Sequence, residues 1–485
     1  RNPDSYGENK KDGAQRDLVI IGGGVGGLVT ASVAGQLGLK VTLVECSNRL
    51  GGDCLHYGCV PSKTLIHTAQ LASSMRQGTQ FGLPAFNPQI DMAKVNARIR
   101  SVIKQIQVHD DPKRFRGYGV DVSLGEGARF TGTRQIQIGG TVRSGRRFVI
   151  AAGSKPFVPD IPGLKDAGYV TNEDEDMYSL KKLPATLVVL GAGPIGLEMA
   201  HAFQRLGSKV TLIEAQARIL PNEDTDVSEA LTEILRADGV VVRTGAKVER
   251  VSVDDGREAV HCSGDVSIDC DTLLVAVGRR PKVDDLGLEQ AGVDYTSKGI
   301  NIDKRMRTSN RRIYACGDVT GVMPFTHVAE YQAGLVIANA LFRFPKKANY
   351  RAVPWVIFTD PELARVGKNE TQANAEGLMV ETVRFEFKGI DRAKAEGAVR
   401  GFTKLTLHKG CIIGASILGP HAGELISELA LSVAKGCKPG DLAGVVHAYP
   451  TLVEINRRAA NTYLLPRLIS RTSKRLVGLI NQWMP

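Results

Sequence analysis

The chain has 485 residues, 43% of them hydrophobic and 23% charged, and its 62 Lys and Arg outnumber 51 Asp and Glu for a formal net charge of +11. That length predicts about three domains, and the hydrophobic share is ordinary for a soluble α/β protein. Apolar runs such as residues 18–21 are far too short to span a bilayer, and no nucleic-acid-binding module is recognisable.

In chain order, residues 1–16 read as a flexible lead-in. Leu18-Val19-Ile20-Ile21 then forms a β-branched run, followed by Gly22-Gly23-Gly24-Val25-Gly26-Gly27 and a helical stretch over residues 28–38. This is a GxGxxG loop between strand and helix. Gly22 makes the turn, Gly24 lets a pyrophosphate approach the backbone, and Gly27 lets the helix pack on the sheet, with the helix N-terminus facing the phosphates. A second strand, Val41-Thr42-Leu43-Val44, ends in Glu45, whose carboxylate can accept both hydroxyls of a ribose. Next comes Gly51-Gly52-Asp53-Cys54-Leu55-His56-Tyr57-Gly58-Cys59-Val60-Pro61-Ser62-Lys63. Alone, its two cysteines fit a redox pair, two packing residues or a metal loop. The nucleotide loop just before them favours dithiol–disulfide exchange fed by a flavin.

The same device recurs. Leu187-Val188-Val189-Leu190 leads into Gly191-Ala192-Gly193-Pro194-Ile195-Gly196, a helix through Leu206, and Val210-Thr211-Leu212-Ile213 ending in Glu214. Two complete units imply two dinucleotides: FAD at the first, beside the thiols, and a nicotinamide nucleotide at the second. Hydride would pass from nicotinamide to flavin to sulfur. Glu214 suits a free ribose 2′-hydroxyl and repels a 2′-phosphate, so NADH is expected over NADPH, whereas Arg218 close by works the other way. Cys46, Cys262, Cys270, Cys316, Cys411 and Cys437 show no zinc-like spacing with histidines and are taken as packing residues, so no metal site is expected. Eight cysteines without a signal peptide point to a reducing cytoplasm.

The thiol segment, the two glycine loops and Arg312-Ile313-Tyr314-Ala315-Cys316-Gly317-Asp318-Val319 together resemble the FAD-dependent pyridine nucleotide-disulfide oxidoreductases, the family of dihydrolipoamide dehydrogenase, glutathione reductase and mercuric reductase. The resemblance runs from about residue 17 to about residue 463. It implies an α/β fold of two Rossmann-like dinucleotide-binding domains plus a C-terminal α+β dimerisation domain. The FAD domain would span 17–155 and 282–347, the NAD domain 156–281 and the dimerisation domain 348–465. It also implies that Cys59 lies against the flavin as the charge-transfer thiolate while Cys54 exchanges with a small disulfide such as lipoamide. A helix opening at Pro61-Ser62-Lys63 would lower a thiol pKa there. Lys63 resembles the family lysine near the flavin N5, with Glu198 as its partner. Asp318 resembles the aspartate that binds the flavin ribityl chain, and an ordinary N-cap is its plainer reading. The segments ending at Gly153 and Gly278 resemble the strands returning from each nucleotide domain; with Gly52 they complete the expected cofactor contacts.

The departure from the family is His447-Ala448-Tyr449-Pro450-Thr451-Leu452-Val453-Glu454. Disulfide-reducing members carry a His directly before the Pro, paired with the Glu and reaching in from the partner subunit as acid and base. Here Tyr449 occupies that place, and a phenol with pKa of about 10 is a poor base at neutral pH. His447, two residues earlier, could take the proton instead. Equally, Tyr449 resembles the tyrosine of mercuric reductases, which handle a metal-thiol substrate but end in a cysteine pair; this chain has no cysteine after Cys437. A flavoprotein that senses redox state without turnover is the remaining alternative.

In the third domain, Leu405 and residues 412–416 read as strands and residues 423–435 as a helix. Residues 455–485 hold six Lys or Arg and no acid among Leu464, Leu465, Leu468, Ile469, Leu476, Val477, Leu479, Ile480 and Trp483. Over 466–485 this reads as a basic amphipathic tail, packed on the dimer or resting weakly on an anionic membrane surface, with the first favoured.

Overall fold

The computed structural model describes residues 15–173, 175–254 and 257–483. Most of the lead-in expected over 1–16 lies outside them, and Arg16 already opens the first strand.

Strand β1 (Arg16–Ile21), helix α1 (Val25–Gln36) and strand β2 (Val41–Glu45) form the first β-α-β unit. Leu18, Val19 and Ile20 are fully buried because a parallel strand is covered on both faces, which is why it reads as an unbroken apolar run. Helix α1 starts at Val25, three residues before the expected Leu28. The last two glycines of the loop belong to its first turn, and the close approach they permit is what seats the helix. A Cβ on Gly27 would lie 1.9 Å from the Gly22 carbonyl oxygen.

The chain then makes helix α2 (Gly52–His56) and the longer α3 (Cys59–Arg76). Strands β3 (Val120–Leu124), β4 (Ala128–Gly132), β5 (Gln135–Ile138) and β6 (Thr141–Ile150) follow. The second half of β6 runs parallel between β1 and the strand Ile313–Ala315, giving the order β3-β2-β1-β6 closed by a strand from far along the chain. Its first half pairs antiparallel with β5, so one ten-residue strand joins the nucleotide sheet to an antiparallel meander.

Between them lies a second parallel sheet in the order Val241–Thr244, Lys209–Glu214, Thr186–Leu190, Thr272–Val275. The chain enters and leaves this unit through Ser154–Pro156 and Arg279–Pro281, which pair antiparallel. The third domain is a five-stranded antiparallel sheet ordered Pro354–Ile357, Glu362–Gly367, Cys411–Gly419, Phe402–His408, Glu381–Glu386. Helices Ala422–Lys435 and Glu454–Leu468 pack on it.

Helix α3 carries Cys59 and sits where all three parts meet. Leu65, Ile66, Ala69 and Ala72 share one core with Leu197, Ala200 and Phe203 of the helix Pro194–Leu206 and with Ile357, Leu363, Phe402 and Leu418 of the third domain. Each fully buried Leu or Phe in such a core contributes about 1.5–3 kcal/mol, so the thiol helix is held by domains remote in sequence.

The C-terminal segment differs from the expected tail. The helix Glu454–Leu468 continues through Pro466, the chain breaks at Ile469 and Ser470, and a separate helix, Arg471–Trp483, follows with no buried residue. Among the described residues nothing covers it. Among the described residues, no helix is long and apolar enough to cross a membrane.

Candidate active site

Both glycine loops are built alike. Gly22 and Gly191 take φ of 109° and 99°, a left-handed region open to glycine. A Cβ on Gly196 would stand 1.9 Å from the Gly191 oxygen, the same clash that Gly27 avoids. Glu45 Oε2 accepts from Gly23 N at 2.6 Å, and Glu214 Oε2 accepts from Ala192 N at 2.8 Å. Each strand-end carboxylate therefore braces the loop beside it and keeps lone pairs for a ligand. Arg218 is turned away, donating to Pro221 O at 2.8 Å and to Thr225 Oγ1.

The thiol loop docks on the first glycine loop. Gly51 N donates to Gly23 O at 2.9 Å, and Gly52, at φ 60°, lies so close that a Cβ would come within 2.7 Å of Gly24 Cα. This places α2 and α3 end to end against the nucleotide loop. Cys59 is the first residue of α3, with Gly58 before it and no side-chain cap, so the free N–H groups of an 18-residue helix face the sulfur.

The two thiols are electrostatically unequal. A hydrogen bond from Cys54 lowers the Cys59 pKa to about 6, helped by Thr326 and the Lys63 charge against the opposing effect of burial. Sharing that proton, together with burial, pushes Cys54 far above its ordinary value. Thr326 Oγ1 lies 3.4 Å from Cys59 Sγ and donates to it when the sulfur is a thiolate. The arrangement thus favours the charge on Cys59 and the proton on Cys54.

Lys63 Nζ lies 2.7 Å from Glu198 Oε2, joining α3 to the second glycine-loop helix. Glu198 Oε1 accepts from Phe358 N at 2.9 Å, and the Phe358 ring sits 4.6 Å under the ammonium. The third domain therefore fixes this pair from below.

Sequence reasoning missed a second cluster. The Arg279 guanidinium bonds Asp53 Oδ2 at 3.1 Å, Ser154 Oγ at 2.8 Å and Glu173. Ser154 Oγ donates to Asp318 Oδ2 at 2.7 Å. Burial raises Asp53 to about 6 against the pull of Arg279, with Glu173 adding to the rise. Asp318 is not an N-cap: Gly317 precedes it, the turn it opens is the three residues Asp318–Thr320, and its carboxylate points to Ser154. Of this cluster the sequence singles out Asp318; it gives Arg279, Asp53, Glu173 and Ser154 no role.

The C-terminal candidates stand apart. Tyr449 is exposed, its hydroxyl donating to Asp391 Oδ2 at 3.2 Å, and that carboxylate pushes the phenol above its usual 10. His447 has both ring nitrogens engaged, by Val445 O at 3.0 Å and Glu428 Oε1 at 2.9 Å. Glu454 is buried and pairs with Arg457 at 3.2 Å. None of the three lines the cavity described next, so the extended-strand placement of His447 beside Tyr449 does not bring it to the thiols of its own chain.

A continuous cavity of about 2380 Å³ contains both glycine loops, Cys54, Cys59, Lys63, Glu198, Gly153, Gly278 and Asp318. Its walls suit two dinucleotides. At Gly193 a Cβ would meet no protein atom, and at Gly24 only an ordinary contact 3.8 Å away, so the missing side chains leave room for something other than protein. Asp53 Oδ1 and Arg279 Nη1 are buried without partners at the same wall. FAD fits at the first loop, where Glu45 and Asp318 would take its ribose and ribityl hydroxyls; a nicotinamide nucleotide fits at the second.

Known proteins share this arrangement. Residues 16–333 match the family model "Pyridine nucleotide-disulphide oxidoreductase", and residues 353–460 match its dimerisation domain, which supports a homodimer. The chain is 36% identical over 460 residues to a dihydrolipoyl dehydrogenase of Geobacillus stearothermophilus, covering 93% of this chain and 96% of the relative. It is 34% identical over 453 residues to a mercuric reductase of Bacillus cereus, covering 92% of this chain and 71% of the relative. Among solved structures, the Cu(II) complex of the HOCl-induced flavoprotein disulfide reductase RclA from Escherichia coli superposes with a TM-score of 0.82 at 30% identity, covering 91% and 99% of the two chains. LpdA from Mycobacterium tuberculosis gives 0.82 at 26%, covering 94% and 100%. With paired glycine loops facing an unequal dithiol across one cavity, the chain belongs to the pyridine nucleotide-disulphide oxidoreductases, enzymes that depend on FAD and a pyridine nucleotide.

Proposed function

We propose that the enzyme takes electrons from NADH and delivers them through Cys59 and Cys54 to a small disulfide of the lipoamide class. The observation that carries this reading is the inequality of the two thiols. Cys59, at a helix N-terminus beside Lys63, is held as a thiolate, and Cys54 keeps the proton and faces substrate as the exchanging sulfur. The flavin, when bound, supplies the two-electron link between nicotinamide and disulfide. Lys63 and Glu198 set an ion pair next to that link, and Asp318 with Ser154 would orient the cofactor. Cys54 attacks the substrate disulfide after losing its proton, forming a mixed disulfide; Cys59 then displaces the reduced substrate and the intramolecular disulfide re-forms.

The nucleotide preference is supported by Glu214, whose charge faces the second loop, and by Arg218, whose guanidinium is tied to Pro221 and Thr225. Like-charge repulsion then disfavours a 2′-phosphate. Turnover with NADH should exceed that with NADPH by about tenfold or more in kcat/KM, and Glu214→Ala should narrow the ratio; an equal or reversed preference in the parent enzyme rejects this assignment.

The acid and base reside, in this reading, with Tyr449 of the partner chain, because the C-terminal residues lie away from their own cavity. His447 is the weaker candidate, since both of its nitrogens are engaged. A second reading, reduction of a metal-thiol substrate, is favoured by Tyr449 itself: its phenol is exposed, and Asp391 makes it a still poorer base. Assays of lipoamide, glutathione disulfide and a Hg(II)-thiol complex decide between them. With lipoamide as the true class, Tyr449→His should raise turnover by roughly 100-fold, the low end of general acid–base gains. If Tyr449→Phe instead abolishes Hg(II) reduction and lipoamide is barely turned over by any form, the second reading stands. A cytoplasmic location is part of the proposal and rests on cysteine usage alone.

A further inference from the structure

The C-terminal helix Arg471–Trp483 has two chemically opposed faces, and among the described residues no contact buries either. Leu476, Leu479, Ile480 and Trp483 recur at i, i+3, i+4 and i+7, with Val477 at their margin. All five side chains are exposed, Trp483 by 81%. The opposite face carries Arg471, Lys474, Arg475, Asn481 and Gln482. Just before it, Leu465, Leu468 and Ile469 are also exposed and extend the apolar surface past the break at Ser470. Arg467 pairs with both oxygens of Glu381, at 2.9 and 2.8 Å, which anchors the base of the helix at the edge strand of the third domain. From residue 455 to the end of the helix the charged residues are Arg457, Arg458, Arg467, Arg471, Lys474 and Arg475, with no acid.

We propose that this helix is a membrane-surface anchor that lies on anionic lipid, its Leu476–Trp483 side in the acyl–headgroup boundary and its basic side among the headgroups. Charge decides the occupant. The face carrying Arg471, Lys474 and Arg475 has no acid among residues 455–483 to balance it and calls for a surface that supplies the countercharge. An anionic surface does, and a tryptophan among leucines on one face with Lys and Arg on the other is the pattern of interfacial helices. The thirteen-residue helix is too short to cross a bilayer, so it lies along the surface. The enzyme would then sit at a membrane with its nucleotide cavity free, independent of which acceptor it reduces.

The test uses the FAD-loaded full-length dimer with vesicles of phosphatidylcholine alone and of phosphatidylcholine mixed with phosphatidylglycerol. The enzyme should sediment with the anionic vesicles only and be released by salt. Each basic residue near such a surface contributes about fivefold, so Arg471→Glu, Lys474→Glu and Arg475→Glu together should weaken binding roughly 100-fold. Leu479→Asp with Ile480→Asp should weaken it comparably, and NADH oxidation should be unchanged in both variants. Trp483 emission should shift to the blue on binding, a shift lost in Trp483→Phe, in which Trp355 is the remaining tryptophan. Failure to sediment with anionic vesicles, or equal binding to neutral ones, overturns the proposal. Dissociation of the dimer by Leu479→Asp with Ile480→Asp also overturns it, because the apolar face would then belong between two copies.

Discussion

Cys54→Ala is expected to lower disulfide reduction by roughly three orders of magnitude or more, as loss of an attacking nucleophile does, and to change the acid–base behaviour of the sulfur that remains. The largest influence holding Cys59 at about 6 is the hydrogen bond from Cys54. Without that donor, the Cys59 pKa should move upward, while Lys63, Thr326 and the N-terminus of α3 keep it below that of a free thiol. The sign follows from the charge: above its pKa Cys59 is a thiolate, and below it the proton returns. Ultraviolet thiolate absorbance of the reduced parent enzyme should therefore inflect near pH 6, and acceptor reduction should fall on the acid side of that point. Cys59→Ala should remove the inflection altogether. An inflection that survives Cys59→Ala unchanged would assign the thiolate to the wrong sulfur.

The second large effect is steric. In both Gly27→Ala and Gly196→Ala the new methyl would lie 1.9 Å from a backbone oxygen of its own loop, at Gly22 and Gly191. Neither oxygen belongs to a flexible side chain, so relief requires the helix to lift from the strand, and overpacking of a close-packed contact costs about 1–3 kcal/mol or more. The two substitutions should separate the two ligands. Gly27→Ala should yield protein that is colourless or unfolded, whereas Gly196→Ala should keep flavin and lose nucleotide-driven reduction by at least about 100-fold, the equivalent of about 3 kcal/mol. Flavin absorbance of the purified protein and stopped-flow reduction by NADH read the two outcomes. A Gly196→Ala enzyme reduced at the parent rate would mean that the second loop does not hold the nicotinamide nucleotide.

The acid–base assignment also bears on how electrons leave the enzyme. Cys54 holds its proton more firmly than an ordinary thiol because Cys59 takes the charge. Among the described residues of its own chain, the cavity histidines His56 and His327 each have Nε2 bonded to a backbone carbonyl, of Leu50 and Pro354. Asp53 is adjacent in sequence, but it is engaged by Arg279 and itself gains a proton near pH 6. In the proposed mechanism the base comes from Tyr449 of the partner subunit, so a monomeric variant should lose disulfide reduction while keeping its flavin.

How far the site was legible depends on how local its causes are. The glycine loops were readable because a turn at positive φ and a helix packed against a carbonyl admit only glycine at fixed spacing, and both constraints act within six residues. The pairing of Lys63 with Glu198 was readable only through likeness to a family; 135 residues separate them, and the structure closes the gap to 2.7 Å. Thr326 beside Cys59, Phe358 beneath Lys63 and Glu173 on Arg279 left no mark in the sequence, since each partner lies more than 100 residues away along the chain. The start of α1 was misplaced by three residues because glycine argues against helix by propensity, whereas here close packing overrides propensity. The N-cap reading of Asp318 gave way to Ser154 for the same kind of reason: a tertiary neighbour outcompeted the local backbone.

By itself, the sequence determined two nucleotide units, a thiol pair after the first and a strand-rich third domain, because backbone geometry and hydrophobic period are properties of neighbouring residues. Tertiary structure alone decided which carboxylates surround Arg279, which groups brace Lys63, and that Tyr449 lies away from the thiols of its own chain. Those outcomes depend on burial and on charges brought together across more than 100 residues, and neither is set until the domains close on one another.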